Sequence, residues 1–366
     1  MMKLSEVACL MMGQSPEGTT YNDKGLGLPF YQGKSDFGDV YPKARIWCSA
    51  PIRIAEDGDI LMSVRAPVGP TNLAFERCCI GRGLASIRPI AKLIERDYLW
   101  YFLKFAQPAL VEKGQGSTFE AISGSDLSQL DVILPDISTQ RLIAANLKSQ
   151  LTTLEQARTA AQLQLTELTN LANAIIRQSV EQPDTAPAKL GDVLDEVKKG
   201  VGKTWANYPV LGATRAGLAL AKEPVGKIPE RYKPVLHGTV FYNPMRIMIG
   251  SIAMVDEFDT PGITSPDYVA LRGKEGLVDS RWFYYWLRSP YGVSCIASLA
   301  RGAVRERMLF NRLAEGNIEL PSYTVQVTAA KALAELKPMR SAIEKQLAEI
   351  NLLPGKILAK AFEIEA

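Results

Sequence analysis

Residues 138–180 read STQRLIAANLKSQLTTLEQARTAAQLQLTELTNLANAIIRQSV and contain neither proline nor glycine. One long helix is predicted here, with Ser138 as its N-cap, because the two residue types that most disfavour helices are absent. Seam residues recur at alternating spacings of four and three, apolar except at Arg158, which is the pattern of a coiled coil. The seam positions are Leu147, Leu151, Leu154, Arg158, Ala161, Leu165, Leu168, Ala172 and Ile175. This helix therefore needs a second helix to cover its apolar seam.

The C-terminal region offers that second helix. Its seam positions are Leu333, Leu336, Arg340, Ile343, Leu347, Ile350 and Ile357, again with one arginine. Pro338 is expected to bend this helix mildly or to lie near a break, and Pro354-Gly355 to kink or restart it. We predict that the two helices pair antiparallel, an arrangement that would hold two globular regions at opposite ends of a rod.

The chain repeats itself at an offset of about 186 residues. Leu4-Ser5-Glu6-Val7 matches Leu190-Gly191-Asp192-Val193, and Gln140 matches Gln326. Leu134-Pro135 matches Leu320-Pro321 at the same offset, and the aromatic stretches 98–103 and 282–287 match at 184. Chance alignment of common residues is the alternative, but several matches in order at one offset favour a duplication.

Each copy consists of a mixed part followed by a helical part. Strand-like apolar runs occur at residues 59–64 and 239–242, and the two aromatic stretches are expected to form short buried helices. The predicted fold class is therefore α+β, with two tandem α/β domains joined and spaced by two long antiparallel coiled-coil helices in a pseudo-twofold repeat. The predicted parts are residues 1–137, 138–185, 186–322 and 323–366.

Composition excludes several classes of protein. Of the 366 residues, 47% are hydrophobic and 22% charged, which predicts packed domains rather than a disordered chain. Five cysteines without a CxxC spacing argue against a disulfide framework and a zinc site, and the single histidine, His237, argues against histidine-dependent catalysis. No apolar run is long enough to span a membrane, so a cytoplasmic protein is expected. The net charge of +3 does not by itself indicate a nucleic-acid binder.

Two motifs that suggest catalysis fail on inspection. Gly200-Val201-Gly202-Lys203-Thr204 resembles a phosphate loop, but that pattern requires glycine at position 197, which is Val197 here. Asn243-Pro244-Met245 lacks the second proline and the aromatic residue of the amino-methyltransferase signature, and no methyl-donor loop accompanies it. The sequence therefore predicts no catalytic residues, no cofactor site and no metal site.

Several stretches resemble the specificity subunits of type I restriction-modification enzymes. In the first copy they are Gly13-Gln14-Ser15-Pro16-Glu17-Gly18, Pro29-Phe30-Tyr31-Gln32-Gly33, residues 58–69 (GDILMSVRAPVG) and Ile80-Gly81-Arg82-Gly83-Leu84. In the second copy they are Tyr242-Asn243-Pro244-Met245-Arg246-Ile247 and Ser265-Pro266-Asp267-Tyr268-Val269. Residues 353–362 match the closing helix of that family, whereas residues 363–366 depart from its usual glycine-containing end.

The resemblance implies a non-catalytic subunit with two target-recognition domains and two spacer helices. Such a subunit reads a bipartite, asymmetric sequence in double-stranded DNA and docks two methyltransferase subunits as well as restriction (translocase) subunits. Residues 1–137 and 186–322 would be the recognition domains, and apolar residues outside the seam, such as Leu163 and Leu171, would pack on partner helices. Two alternatives stay open: a coiled-coil adaptor that binds no DNA, and the remnant of a fused restriction-methylation enzyme.

Candidate DNA contacts follow from side-chain chemistry, since arginine and lysine pair with guanine, asparagine and glutamine with adenine, and serine and threonine with phosphate. The candidates in the first domain are Gln14, Lys34, Arg65, Gln115 and Thr118, and those in the second are Lys199, Lys203, Arg215, Arg246, Arg301 and Arg305. For Arg65 and Arg246 the competing interpretation is a structural arginine bonded to carboxylates or carbonyls of its own domain.

Overall fold

The computed structural model describes residues 1–114, 121–300 and 307–363. The chain forms two compact units, one made of Met1–Thr159 with Leu347–Ala366 and the other of Ala160–Gln346. Each unit combines a mixed α/β part with segments of two long helices. The fold class is therefore α+β, as the repeat and the heptad seams predict.

The first unit contains three groups of strands. A four-stranded antiparallel sheet has the order β2-β10-β7-β8, a five-stranded sheet has the order β3-β5-β4-β9-β6 with β4 and β9 parallel, and β1 pairs with β11. The strands are β1 (Met2–Lys3), β2 (Ala8–Met12), β3 (Tyr21–Asn22), β4 (Leu28–Tyr31), β5 (Trp47–Cys48), β6 (Ile54–Ala55), β7 (Ile60–Ser63), β8 (Thr71–Leu73), β9 (Cys78–Ile80), β10 (Leu84–Pro89) and β11 (Asp131–Val132). The helices are α1 (Leu4–Val7), α2 (Arg96–Phe105), α3 (Gln107–Gly114), α4 (Gly124–Ser128) and the beginning of α5 (Ile137–Val180).

The second unit repeats the central sheet of the first. Its four-stranded antiparallel sheet has the order β13-β20-β17-β18, while β12 pairs with β21, β14 with β15 and β16 with β19. The strands are β12 (Ala186–Lys189), β13 (Leu194–Glu196), β14 (Leu211–Thr214), β15 (Gly217–Leu220), β16 (Lys233–Val235), β17 (Val240–Tyr242), β18 (Ile252–Met254), β19 (Gly262–Thr264), β20 (Val269–Gly273) and β21 (Asn317–Leu320). The helices are α6 (Leu190–Val193), α7 (Ser280–Arg288), α8 (Pro290–Leu299), α9 (Phe310–Leu313) and most of α10 (Tyr323–Phe362).

Two buried glutamines show how closely the two copies agree. Gln140 accepts a hydrogen bond from the backbone N–H of Glu95 (2.8 Å) and donates to the carbonyls of Leu93 (3.1 Å) and Pro135 (2.8 Å). Gln326 makes the same three bonds with Asp279 (3.0 Å), Leu277 (2.9 Å) and Pro321 (2.8 Å). Both side chains are fully buried. Each glutamine ties the start of a long helix to the segment before the aromatic helix, α2 or α7.

The predicted heptad seams face inward. All nine seam positions of α5 and all seven of α10 are buried or half-buried, whereas Leu163 and Leu171, outside the seam, are 59% and 48% exposed. In the first unit, Leu147 shares a core with Leu358, and Arg158 bonds Asn351, so α5 and α10 run antiparallel there. In the second unit, Ile176 shares a core with Leu333, and Thr169 accepts from Arg340, which gives the same direction.

The structure corrects two predictions about these helices, one on the N-cap of α5 and one on the prolines of α10. Ser138 is not the N-cap of α5, because the Asp136 carboxylate accepts from the backbone N–H groups of Ser138 and Thr139, at 3.0 Å each. Helix α10 runs without a break through Pro338 and Pro354, so the restart expected as one possibility at Pro354-Gly355 does not occur. Leu336, Ile350 and Leu358 stay buried along its length, and this packing compensates for the backbone hydrogen bonds that the prolines remove.

The cysteines of the first unit lie mostly inside it. Cys48, Cys78 and Cys79 are buried free thiols, and burial raises the pKa of Cys78 to about 12 and that of Cys79 to about 11. Cys9 is exposed and Cys295 half-buried, so burial is not common to all five. Within the described ranges, no helix is long and apolar enough to cross a membrane.

Candidate nucleic-acid interface

In the first unit the ends of β2, β4, β7 and β9 and the start of β10 meet at the turn Gly81-Arg82-Gly83. The carbonyl of Tyr31, at the end of β4, accepts from Gly81 N at 2.8 Å, and Gln14 N donates to the carbonyl at the end of β9 at 3.0 Å. Val64 N, directly after β7, donates to Gly83 O at 2.9 Å. Loops that are distant in sequence are therefore joined at one edge by backbone hydrogen bonds.

Glycine is required at two points of this edge. A Cβ atom on Gly13 would lie 2.1 Å from the carbonyl oxygen of Gly81, and one on Gly83 would lie 2.2 Å from that of Gln32. Such contacts are far inside the van der Waals distance, so any larger residue would push the loops apart. Gly13 thus allows Gln14 to lie close to the turn that contains Arg82, and Gly83 allows the loop at Gln32 to lie against the same turn.

Four polar side chains project from this edge or from the segments next to it. Gln14, Lys34 and Arg65, all predicted from sequence, are exposed, and so is Arg82. None of the four side chains has a hydrogen bond or an ion pair within residues 1–114 and 121–300. Sequence reasoning did not select Arg82, although its position between two glycines marks a tight exposed turn. Together the four groups can donate hydrogen bonds to phosphates and base edges.

Lys199 and Lys203 lie at a second basic surface, in the second unit. Val201 N donates to Tyr232 O at 2.8 Å, and a Cβ on Gly200 would lie 2.4 Å from Glu230 O, so this loop packs tightly on the segment containing Arg231. Lys199, Lys203 and Arg231 are exposed, and in the described part of the chain their side chains have no acidic partner. Arg231 is a further cation that sequence reasoning missed.

Residues 243–251 join β17 to β18 and are here called the β17–β18 connection. Arg215 and Arg246 both lie at this connection. Arg246 belongs to this connection, and Arg215, at the tip of the β14–β15 hairpin, donates from Nε to Ile249 O at 3.1 Å. Arg288 of α7 donates to the carbonyls of Gly250 (3.2 Å) and Ile252 (2.8 Å). Arg215 is therefore exposed and also holds the β17–β18 connection in place through its hydrogen bond to Ile249.

Arg65 and Arg246 occupy comparable places in the two copies. Arg65 follows β7 and Arg246 follows β17, each an inner strand of a four-stranded sheet. Both are exposed. The bonds that the structural interpretation expects, to carboxylates or carbonyls of the same domain, are not found for either guanidinium within the described residues. Both groups can therefore reach a ligand outside the domain.

Four of the predicted contacts, Gln115, Thr118, Arg301 and Arg305, lie outside the described residues. Among the residues that are described, no group of three or more histidine, cysteine, aspartate or glutamate side chains could hold a metal ion. His237 is exposed, with Nε2 lying 3.1 Å from Asp259 O. The candidate contacts that the structure describes on these surfaces are hydrogen-bond donors, most of them cations, and their chemistry suits binding of an anionic polymer.

Comparisons with known proteins find sequence relatives over part of the chain and a similar fold over the whole of it. Residues 1–165 match the model of the type I restriction modification DNA specificity domain. The chain is 41% identical over 140 residues to a putative type I restriction enzyme specificity subunit, MjaX, of Methanocaldococcus jannaschii, covering 38% of this chain and 33% of that protein. It is 31% identical over 108 residues to the MjaIX specificity subunit of the same organism, covering 29% and 24%. The matches thus span about a third and a quarter of those relatives.

One solved structure matches the fold along the whole chain. The S subunit of a type I restriction-modification system from M. genitalium superposes with a TM-score of 0.54 over 100% of this chain and 96% of that one, at 16% identity. This likeness concerns the fold, whereas the family model and the curated relatives establish the sequence relationship. Residues 1–165 thus match the type I restriction modification DNA specificity domain, and the chain as a whole has the fold of an S subunit.

Proposed function

We propose that this chain is the sequence-specific DNA-recognition subunit of a type I restriction-modification complex, acting in the cytoplasm. Residues 1–137 and 186–322 are the target-recognition domains in this proposal, and residues 138–185 and 323–366 are the spacer helices. The observation that carries it is the repeated exposed arginine, Arg65 or Arg246, after an inner strand of each four-stranded sheet. A duplicated cationic surface suits a ligand that offers two anionic half-sites, as duplex DNA does.

The two surfaces carry different side chains, which supports an asymmetric target. Gln14 and Arg82 accompany Arg65 in the first unit, whereas Arg215 and two large apolar side chains, Met245 and Met248, accompany Arg246 in the second. Because base edges in the major groove differ in their donors, acceptors and methyl groups, different side chains select different bases. Each unit therefore reads its own half of a bipartite sequence.

Two equivalent grooves support the docking of two methyltransferase subunits. In the first unit, a groove of about 450 Å³ lies between α5 and α10, and in the second unit a groove of about 340 Å³ lies between the same helices. Asn146 and Gln150 line the first groove where Thr328 and Ala332, 182 positions later, line the second. Because the same surface occurs twice, one kind of partner can bind twice.

Methyl transfer and cleavage belong to the partner subunits in this proposal. The sequence contains no methyl-donor loop, and its phosphate-loop-like stretch has Val197 where glycine is needed. Restriction subunits would join the complex through the methyltransferase assembly. The chain itself supplies recognition and spacing.

Methylation mapping at base resolution tests the proposal. Cells that carry this chain with its cognate methyltransferase subunit are expected to show one bipartite methylated motif, which disappears when the chain is deleted. The isolated chain with labelled methyl donor should give no incorporation above background. A methylome that does not change on deletion would refute the recognition role.

The alternative is a coiled-coil adaptor without DNA binding. The paired helices are as compatible with an adaptor as with a spacer. The exposed cations in both units, however, favour DNA binding over an adaptor that binds no DNA. An adaptor would show no DNA affinity, whereas a DNA-recognition subunit assembled with its partner should bind with a strong salt dependence because counterions are released from the phosphates. Binding at two salt concentrations separates the two functions.

A further inference from the structure

The β17–β18 connection displays three large apolar side chains to solvent. Met245 is 57% exposed, Met248 54% and Ile249 50%, all within five consecutive positions. Between them, Ile247 is buried at 2% exposure and anchors the segment in the core of the second unit. Clustered exposed apolar side chains, unlike scattered ones, mark a surface that contacts another molecule.

The backbone of this connection is held firmly. Asn243 Oδ1 accepts from Met245 N at 3.0 Å, and residues 247–249 form a 3-10 turn that ends at Gly250, whose φ is +80°. Arg215 and Arg288 donate to the carbonyls of Ile249 and Gly250 at its C-terminal end, and Arg288 also donates to that of Ile252, the first residue of β18. A segment fixed in this way presents Met248 and Ile249 with little entropy to lose on binding.

The charges around the connection favour an anionic partner. Arg246 and Arg215 are exposed, and in the described part of the chain neither they nor Arg288 form an ion pair. The nearby carboxylates of Asp256 and Asp259 are neutralised inside the unit, Asp256 by Arg281 and Asp259 by Lys337 at 2.6 Å. Cations beside apolar side chains match DNA, which offers phosphates next to thymine methyl groups and base steps.

The corresponding connection in the first unit differs in its apolar groups. Residues 64–70 join β7 to β8, with Arg65, Ala66 and Pro67 exposed and Val68 buried. The exposed arginine and the buried anchor are thus common to both units, whereas the exposed apolar side chains are small in one and large in the other. A difference confined to these side chains is suited to sequence discrimination.

We propose that Met248 and Ile249 are specificity-determining contacts of the second unit, packing against base edges while Arg246 contacts a phosphate. The inference rests on the proposed function and names the contacts within it. Thymine is the base whose C5-methyl group complements these side chains in the major groove. Arg246, by contrast, contributes affinity that does not depend on sequence.

The test uses the full-length chain assembled with its methyltransferase. The motif is first mapped for the wild type and for Met248→Ala/Ile249→Ala, with Phe258→Ala, a 96% exposed apolar side chain of the same unit, as matched control. The double variant should relax the motif at one or two positions of a single half-site, while the other half and the spacing stay unchanged. The control should give the wild-type motif.

Binding to modified DNA then identifies the chemical group. Replacing each thymine of that half-site by uracil removes only the C5-methyl group, and one such replacement should weaken wild-type binding by about 5- to 100-fold. The same replacement should have no effect on the double variant. Arg246→Gln should weaken binding to all sequences alike and reduce its salt dependence.

Three outcomes are decisive. A wild-type motif for the double variant, or uracil effects equal in both proteins, overturns the inference and leaves the proposed function intact. Loss of methyltransferase co-purification from the double variant, with an unchanged motif in what assembles, would assign the surface to a protein partner and also overturns it. Absence of any motif for the wild type would instead refute the proposed function.

Discussion

Arg158 of α5 donates a hydrogen bond from Nε to Oδ1 of Asn351 of α10, at 3.0 Å, within the first unit. The same contact recurs in the second unit, where Arg340 donates to Thr169 Oγ1 at 2.8 Å. Both residues of the second pair lie 182 positions from their counterparts in the first. Each polar interruption of the apolar seam thus has a partner on the opposite helix, which is how coiled coils fix register.

We predict that Arg158→Leu stabilises the first unit but makes the register in which α5 pairs with α10 less specific. A leucine at this half-buried position adds apolar burial and removes the hydrogen bond to Asn351 and an ion pair with the exposed Glu155. Because an exposed ion pair contributes little, the free energy of unfolding should still rise by about 1 kcal/mol. Urea denaturation measures the stability, and light scattering detects new oligomers. Arg141→Leu, at an exposed position of the same helix, is the control. A loss of stability with Arg158→Leu would contradict the prediction. It would show that the polar contacts of Arg158 contribute more to the free energy of unfolding than the apolar burial that leucine adds.

Lys104 makes the stability of the first unit depend on pH. Its ammonium nitrogen lies 3.8 Å from the Trp100 ring centre, and burial lowers its pKa to about 8. Between about pH 8 and the ordinary lysine value near 10.5, the unfolded chain keeps this proton and the folded chain has lost it. Stability therefore rises with pH across this window, and the destabilising effect of the buried charge is fully present below it.

Lys104→Met should remove this dependence. The variant is expected to be more stable than the wild type at pH 7 by about 1 to 3 kcal/mol, since its side chain has no charge to bury but also loses the cation–π contact. Urea denaturation at pH 7, 8, 9 and 10 should show the difference shrinking as pH rises. Lys113→Met, an exposed lysine on α3, should leave the slope unchanged. A constant difference at all four pH values would mean that Lys104 does not titrate in this window.

The paired glutamines predict matched losses of stability in the two units. Gln140→Leu leaves the N–H of Glu95 and the carbonyls of Leu93 and Pro135 without this partner, so we expect a loss of about 3 kcal/mol. Gln326→Leu should have a similar effect on the second unit. Hydrogen exchange separates the two, because α2 amides should lose protection in the first variant and α7 amides in the second. Gln156→Leu, exposed on α5, is the control, and equal deprotection of both helices by either variant would contradict the prediction.

If each groove binds one methyltransferase subunit, substitutions in one groove at a time should lower the number of bound subunits from two to one. Asn146→Glu places a charge in the first groove and Thr328→Glu places one in the second, 182 positions later. Each variant should retain one methyltransferase subunit instead of two, and the double variant none, because an unpaired carboxylate resists burial in an interface. Native mass spectrometry counts the subunits. Two bound subunits in the double variant would exclude these grooves as docking sites.

The long helices and the duplication could be predicted from the sequence because their signals are local and periodic. Seam positions such as Leu147 and Leu336 are recognised from neighbours three and four residues away, and Gln140 and Gln326 from a constant offset. The strands at 60–63 and 240–242 and the aromatic helices α2 and α7 were predicted for the same reason and are confirmed. The restart considered at Pro354 does not occur, because a proline disfavours a helix locally while packing of Leu358 in the core retains it.

Only the tertiary structure decided which polar residues share a surface. Gln14 and Arg82 lie 68 positions apart in the chain, and they meet because Gly13 allows the backbone of Gly81 to approach it. Arg215 reaches Ile249 across two different strand pairs, a contact that no spacing in the sequence encodes. Periodicity specifies how a segment packs as a helix or strand, whereas the positions of loops depend on backbone hydrogen bonds between distant segments, and those form only when the whole unit folds.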